Sequence, residues 1–330
     1  MRGSGHPGAP VERNPGAADR IPPDPRPEGL KLRILAAVWL FAWEAARRLP
    51  EGLVYATADL LARVLHRFAG SARARVARNM SRVVDPAEVD HTVREAFRSY
   101  ARYWVEAFRA ADVTPADIEA RTKVEGFHHV DAALEDGNGV VVLLAHHGSW
   151  DTAARWAETT GYHLVVIAEV VRPRALFRKF VQLREAIGLE VVPLQRGTTM
   201  TQRLAEVAKD NHLVGLLTDR DLTGRAPVVQ FFGEDARIPL GPVTVSRRTG
   251  VPIVPITMLQ TPGRRWNVRA FPPIDVSGLE IAEASQLVAA GLETLIRTAP
   301  EQWHAFQPVW LADLPPKRRG DWQPPLGAAP

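Results

Sequence analysis

The chain has 330 residues, 46% of them hydrophobic and 24% charged, with a formal net charge of +4 and no cysteine. That composition is ordinary for a folded protein and supports a large core. It excludes disulfides, thiolate metal sites and a cysteine nucleophile, and the small net charge excludes polyanion binding by bulk charge alone.

Residues 1–29 are rich in proline and glycine and have no apolar run. They cannot bury enough surface to offset their ordering entropy, so disorder is expected, and no secretory signal is legible in them. The first helix is predicted over Leu30 to Pro50. Its uninterrupted apolar stretch, Ile34 to Trp43, has ten residues, against the roughly 20 that span a bilayer. Lys31 and Arg33 flank one end, Arg47 and Arg48 the other, and Trp39 and Trp43 lie one turn apart. Such a helix suits a membrane interface; the other reading is a helix packed on an N-terminal subdomain. A second helix is predicted over Gly52 to Phe68. The basic residues Arg67, Arg73, Arg75, Arg78 and Arg82 that follow would attract anionic lipid heads, unless they form a solvated face. No nucleic-acid motif accompanies them. A further helix, Pro86 to Ala111, places Phe97, Tyr100 and Trp104 on one face for core packing.

From Val124 onward the pattern alternates. Strands are predicted within 137–145 and over 163–168, 189–194, 212–217, 251–259 and 266–271. Helices are predicted over 152–160, 176–187, 200–209 and 281–298. This alternation implies an α/β fold: a central, largely parallel β-sheet flanked by helices, with the N-terminal helices as a membrane-proximal extension. Residues 315–330 form a proline-rich tail expected to be loose.

The sharpest motif is Ala145-His146-His147-Gly148-Ser149-Trp150-Asp151, where a buried strand gives way to a helix. Ligands bind at the carboxyl ends of strands in such sheets. On a continuous helix, His146 and Asp151 would lie about 140° apart; a tight turn through Gly148 could instead fold them together. Asp151 would then fix the tautomer of His146 and leave its other nitrogen free to take a proton. The structural alternative is an ordinary strand end followed by a helix-capping aspartate. His147 is only four residues from Asp151. Ser149 lacks the Gly-x-Ser-x-Gly context of a nucleophile. A second polar cluster, Thr218-Asp219-Arg220-Asp221-Leu222, also follows an apolar strand, and a parallel neighbour could bring Asp219 beside His146. The aromatic pair in Phe231-Phe232-Gly233-Glu234 packs in the core or lines an apolar pocket.

The stretches HHGSWD, DRDL, FFGE and the following GP resemble the lysophospholipid acyltransferase superfamily, in the branch of the lipid A biosynthesis acyltransferases. RSYARYWVEAFR, TDRDL and QWHAFQPVW further resemble the actinobacterial phosphatidylinositol mannoside acyltransferases. The resemblance covers about residues 30–312. It implies an acyltransferase domain over 30–314, with helices over 30–111 and a catalytic core over 124–312. It also implies an acyl-CoA co-substrate and a mannose hydroxyl on a lipid-linked acceptor. The short apolar run Ile34 to Trp43 with its basic flanks, followed by the arginine cluster, predicts a peripheral position on the cytoplasmic side of the cell membrane. By the same resemblance, His146 is the general base, Asp151 supports it, Asp219 contacts it, and Arg184, Arg225 and Arg172 are the candidates to hold the donor's phosphates. Neither a metal nor a redox cofactor is implied. The alternatives are a lysophospholipid or a lipid A precursor as acceptor, acyl carrier protein as donor, or a non-catalytic membrane-binding protein on the same fold.

Overall fold

The computed structural model describes residues 29–168, 173–193, 199–221, 223–319 and 322. The expected disorder of 1–29 falls, Gly29 apart, outside these residues, as does most of the tail, of which Pro316–Arg319 is a short helix.

Four helices come first: α1 (Leu30–Arg48), α2 (Glu51–Phe68), α3 (Gly70–Met80) and α4 (Val89–Arg109). Then follow α5 (Pro115–Arg121), β1 (Thr122–Glu125), α6 (His128–Glu135), β2 (Val140–Leu144), α7 (Trp150–Thr159), β3 (Leu164–Ala168), α8 (Arg174–Ala186) and β4 (Glu190–Pro193). The chain continues through α9 (Thr199–Lys209), β5 (Leu213–Leu217), β6 (Val228–Phe231), β7 (Glu234–Arg237), α10 (Gly241–Thr249), β8 (Ile253–Thr261), β9 (Arg265–Ala270) and α11 (Ile281–Arg297). Seven strands form one sheet in the order β1-β9-β8-β2-β5-β3-β4. All pairings in it are parallel except β8 with β9, so the sheet is largely parallel, as the alternation implies.

β2 lies between β8 and β5 and is covered on both faces. Val141 and Leu143 join one core with Leu204 and Val207 of α9, Val243 of α10 and Leu292 and Leu295 of α11. Val140 and Val142 join the other with Val130 of α6 and Trp156 of α7. Burial on both faces is why β2 and β5 read as continuous apolar runs rather than alternating ones.

Several elements escape the sequence reading. In α3 the buried residues are only Val76, Asn79 and Met80, amid arginine and alanine, so the apolar period is too weak to register. α5 and α6 are short, although α5 carries a start signal: Thr114 accepts from the Asp117 backbone N–H, and Pro115 opens the helix. FFGE forms a hairpin. Phe231 pairs with Glu234, and the two turn residues Phe232 and Gly233 have φ of 49° and 80°, the left-handed conformation that a two-residue hairpin turn requires.

The N-terminal helices correct one expectation. Trp39 and Trp43 do not face outward. Trp43 is 1% exposed and stacks on Phe108 at 4.8 Å, while Trp39 meets Trp104 edge-on at 4.6 Å. Burying such a ring contributes roughly 1.5–3 kcal/mol, so the tryptophans fasten α1 to α4. The opposite stripe of α1, Leu30, Ile34, Val38 and Phe41, is exposed, as are Leu60, Leu61 and Phe68 of α2. The arginine cluster is also divided. Arg82 pairs with Glu234 at 2.8 Å and with Asp313 at 2.7 Å, and Arg78 reaches Asp313 at 3.7 Å; these charges are engaged within the protein.

Candidate active site

β2 and β5 run parallel and in register, Leu144 opposite Leu217. Two residues beyond each end stand His146 and Asp219, so the register itself brings them side by side. His146 Nδ1 lies 2.6 Å from Asp219 Oδ1. The other carboxylate oxygen, Oδ2, accepts from the Trp303 indole N–H at 2.9 Å. Burial pushes the Asp219 carboxyl up, but His146, Arg220 and the Trp303 indole overcome that and hold it below the usual carboxylate range. An ionised Asp219 can only accept, so Nδ1 carries a proton, and in the neutral imidazole Nε2 then presents its lone pair. Among the described residues Nε2 has no hydrogen-bond partner, and the His146 side chain is 22% exposed.

The turn that aims His146 is clamped on both sides. Gly148 has φ +64°, and a Cβ there would stand 2.0 Å from the Met258 carbonyl oxygen of β8, so only glycine fits. The Gly148 N–H donates to the Gln302 carbonyl, the Ser149 N–H to the Met258 carbonyl and the His304 N–H to the His146 carbonyl, at 2.8–2.9 Å.

His147 points the other way. Its Nδ1 is 2.9 Å from Thr257 Oγ1 and its Nε2 2.9 Å from the Ala299 carbonyl. Burial lowers its imidazole to about 4. Both of its ring nitrogens are engaged, and the residue is sealed from solvent.

Asp151 departs from expectation. No hydrogen bond joins it to His146 among the described residues. Its Oδ1 accepts from Arg184 Nε at 2.8 Å and its Oδ2 from the Tyr103 hydroxyl at 2.7 Å. Asp151 is 1% exposed and lies in the first turn of α7, where the helix N-terminus favours negative charge. It ties α7 to α4 and α8 instead of orienting His146. The five-residue offset fails because the helix starts at Trp150, which turns Asp151 away from the strand exit. Trp150 fills the gap, its ring 5.3 Å from that of His146 and stacked at 4.0 Å on Tyr103.

The three candidate arginines are scattered. Arg184 is held by Asp151, and although burial works against its charge, that carboxylate raises its pKa above the usual range. Arg225 is exposed on the loop after β5, its backbone N–H bound to Thr223 Oγ1. Arg172 lies outside the described residues.

Five residues were missed from the sequence. Ser99, Tyr103 and Glu106 of α4 form a polar stripe at helical spacing. Ser99 Oγ meets His304 Nε2 at 3.1 Å, Tyr103 holds Asp151, and Glu106 accepts from the Ser149 hydroxyl and, at 3.0 Å, from Gln260. Ser149 itself is 0% exposed. Burial raises the Glu106 pKa, against the bonds from Ser149 and Gln260. Trp303 and His304 come from the QWHAFQPVW stretch, whose segment closes over the motif. A buried polar stripe at 99, 103 and 106 beside the apolar face at 97, 100 and 104 was the available signal.

A histidine–carboxylate pair at a strand exit, with one nitrogen free, is equipped to take a proton from a hydroxyl. The bacterial lipid A biosynthesis acyltransferase family matches residues 26–312. The chain belongs to this family. This acyltransferase is 35% identical over 308 residues to the phosphatidylinositol mannoside acyltransferase of Mycobacterium tuberculosis strain H37Rv, covering 91% of its own length and 96% of the relative's. It is 36% identical over 281 residues to the protein of the same name from Mycolicibacterium smegmatis, covering 84% and 91%. Among the acyltransferase's described residues, no helix is long and apolar enough to cross a membrane.

Proposed function

We propose that the enzyme transfers a fatty acyl group from acyl-CoA to a mannose hydroxyl of a phosphatidylinositol mannoside, with His146 as general base and Asp219 as its orienting partner. The observation that carries this reading is the 2.6 Å contact between His146 and Asp219, with Nε2 left open. The relatives named above, both called phosphatidylinositol mannoside acyltransferases, support the acceptor.

In this mechanism Nε2 takes the proton of the acceptor hydroxyl as its oxygen attacks the thioester carbonyl carbon. The carbon–sulfur bond then breaks, and the departing CoA thiolate takes the proton back from Nε2. Asp219 balances the transient imidazolium. General-base assistance of this kind contributes about 10²–10⁴ in rate. A covalent acyl-enzyme is not required: the chain has no cysteine, and Ser149 is fully buried.

The exposed apolar stripes of α1 and α2 would rest in a membrane interface, drawn to anionic lipid by exposed basic residues such as Lys31, Arg33 and Arg67. This keeps the enzyme peripheral, on the cytoplasmic face where acyl-CoA is made.

The test is an assay of the purified enzyme with radiolabelled palmitoyl-CoA and vesicles carrying phosphatidylinositol mannoside, a lysophospholipid or a lipid A precursor. Labelled mannoside product that disappears in His146→Ala is expected. Product on the lysophospholipid or lipid A precursor alone would reject the acceptor; no transfer to any of them would reject the activity.

A further inference from the structure

A pocket of about 40 Å³ is lined by Asp219 but not by His146. A water needs about 10–15 Å³ of such space, so there is room for about three water-sized groups, the scale of a phosphate. Its walls include Arg220, Arg237, Arg318, Asp219, Asp221 and Gln307.

The charges there are unevenly used. Both acids are committed. Asp219 is bound to His146 and Trp303. Asp221 closes its own loop, accepting from the Thr223 backbone N–H and hydroxyl and from the Ala226 N–H. The arginines have no carboxylate within ion-pair distance among the described residues. Arg220 donates to the His304 carbonyl at 3.1 Å. Arg237 donates to the Ala226 carbonyl at 2.6 Å and the Arg319 carbonyl at 3.1 Å, and its Nε is buried without a partner. Arg318 is exposed at the rim. Arginine is the side chain suited to phosphate oxygens.

We infer that this pocket is a phosphate-ester subsite, where Arg237 and Arg318, assisted by Arg220, hold a phosphate group of a substrate whose reacting end lies at His146. The shared chemistry is a phosphate ester. It is supplied either by the phosphodiester of the lipid acceptor or by the phosphates of CoA. Which of these binds rests on the proposed reaction; that the pocket takes a phosphate does not.

Thermal melting of the whole chain tests the site without any reaction. Inorganic phosphate, glycerophosphoinositol and free CoA are each compared with chloride at equal ionic strength. At least one phosphate compound should raise the melting temperature, and Arg318→Gln, at the exposed rim, should abolish the rise. Arg237→Gln should do the same, but it can weaken the fold because Arg237 also ties two loops together, so Arg318→Gln decides. No rise in the wild type, or a rise that survives Arg318→Gln, overturns the proposal. Kinetics then separate the sources. If the acceptor's phosphodiester binds, Arg318→Gln raises KM for the phosphoinositide acceptor about tenfold, with kcat within about twofold, and leaves KM for an uncharged alkyl mannoside unchanged. If CoA binds, the rise appears in KM for acyl-CoA instead. Unchanged KM values for both overturn the subsite as a substrate site. A wild-type enzyme that acylates no mannoside, yet shows the Arg318-dependent melting shift, defeats the proposed function and leaves the phosphate site standing.

Discussion

The two ends of the HHGSWD motif are five residues apart and live in different environments. At the His146 end the side chain is 22% exposed, and its partner Asp219 comes from the neighbouring strand end. At the Asp151 end the carboxylate is 1% exposed and bound to Tyr103 and Arg184 from two helices. The difference teaches that a short sequence spacing need not report a direct contact. In the proposed mechanism one end reacts and the other holds the turn in place, and the two are linked through packing around Trp150.

The largest effects should fall on the reacting end. His146→Ala is expected to lower kcat by about 10²–10⁴-fold, with the melting temperature nearly unchanged. Asp219→Asn should approach the same loss, because an amide no longer fixes the tautomer or balances the imidazolium. Steady-state kinetics beside a melting curve would check both; an active His146→Ala enzyme contradicts the assignment.

Asp151→Ala should behave in the opposite way. Removing one member of a buried ion pair costs about 3–5 kcal/mol, here by stranding Arg184. Denaturant titration should show that loss, while the fraction still folded at low temperature keeps activity within about tenfold of wild type. A stable Asp151→Ala protein without activity would erase the distinction between the two ends.

The pairing of His146 with Asp219 was legible in the sequence because both stand just past apolar runs that read as strands, and adjacent parallel strands in register do the rest. The partners of Asp151 were not legible. Tyr103 and Arg184 sit on helices far away in sequence, and no local period reports which faces of α4 and α8 meet. The alternation of strands and helices gave the largely parallel sheet. It hid β1, whose four residues include exposed Lys123 and Val124, and α3, whose apolar face is thin. The aromatic spacing in α1 suggested a membrane boundary, whereas the rings in fact pack on α4, and the exposed stripe is aliphatic with Phe41.

A smaller effect separates the two adjacent histidines. The unfolded chain's His147 takes up a proton near 6.5, whereas the native one resists until about 4. Between those values the unfolded state binds more protons, so stability is full above about pH 6.5 and falls as pH drops towards 4, by about 3 kcal/mol. Burial holds His304 well below its ordinary value too, which adds to the same slope. His147→Gln should flatten the pH dependence seen in denaturant melts and keep substantial activity. An unaltered slope would mean that His147 is not sealed.

The smallest expected change is Ser149→Ala. Loss of its bond to the buried Glu106 should cost about 1–3 kcal/mol and leave kcat within a few-fold. Abolished turnover in a folded Ser149→Ala protein would point to a serine-based mechanism.

The most direct test of the His146–Asp219 unit is a double-mutant cycle in kcat/KM. Groups that act as a unit are strongly non-additive. His146→Ala combined with Asp219→Asn should therefore be no slower than His146→Ala alone. Multiplied losses for that pair, with non-additivity appearing instead between His146→Ala and Asp151→Asn, would contradict it and return the orienting role to Asp151.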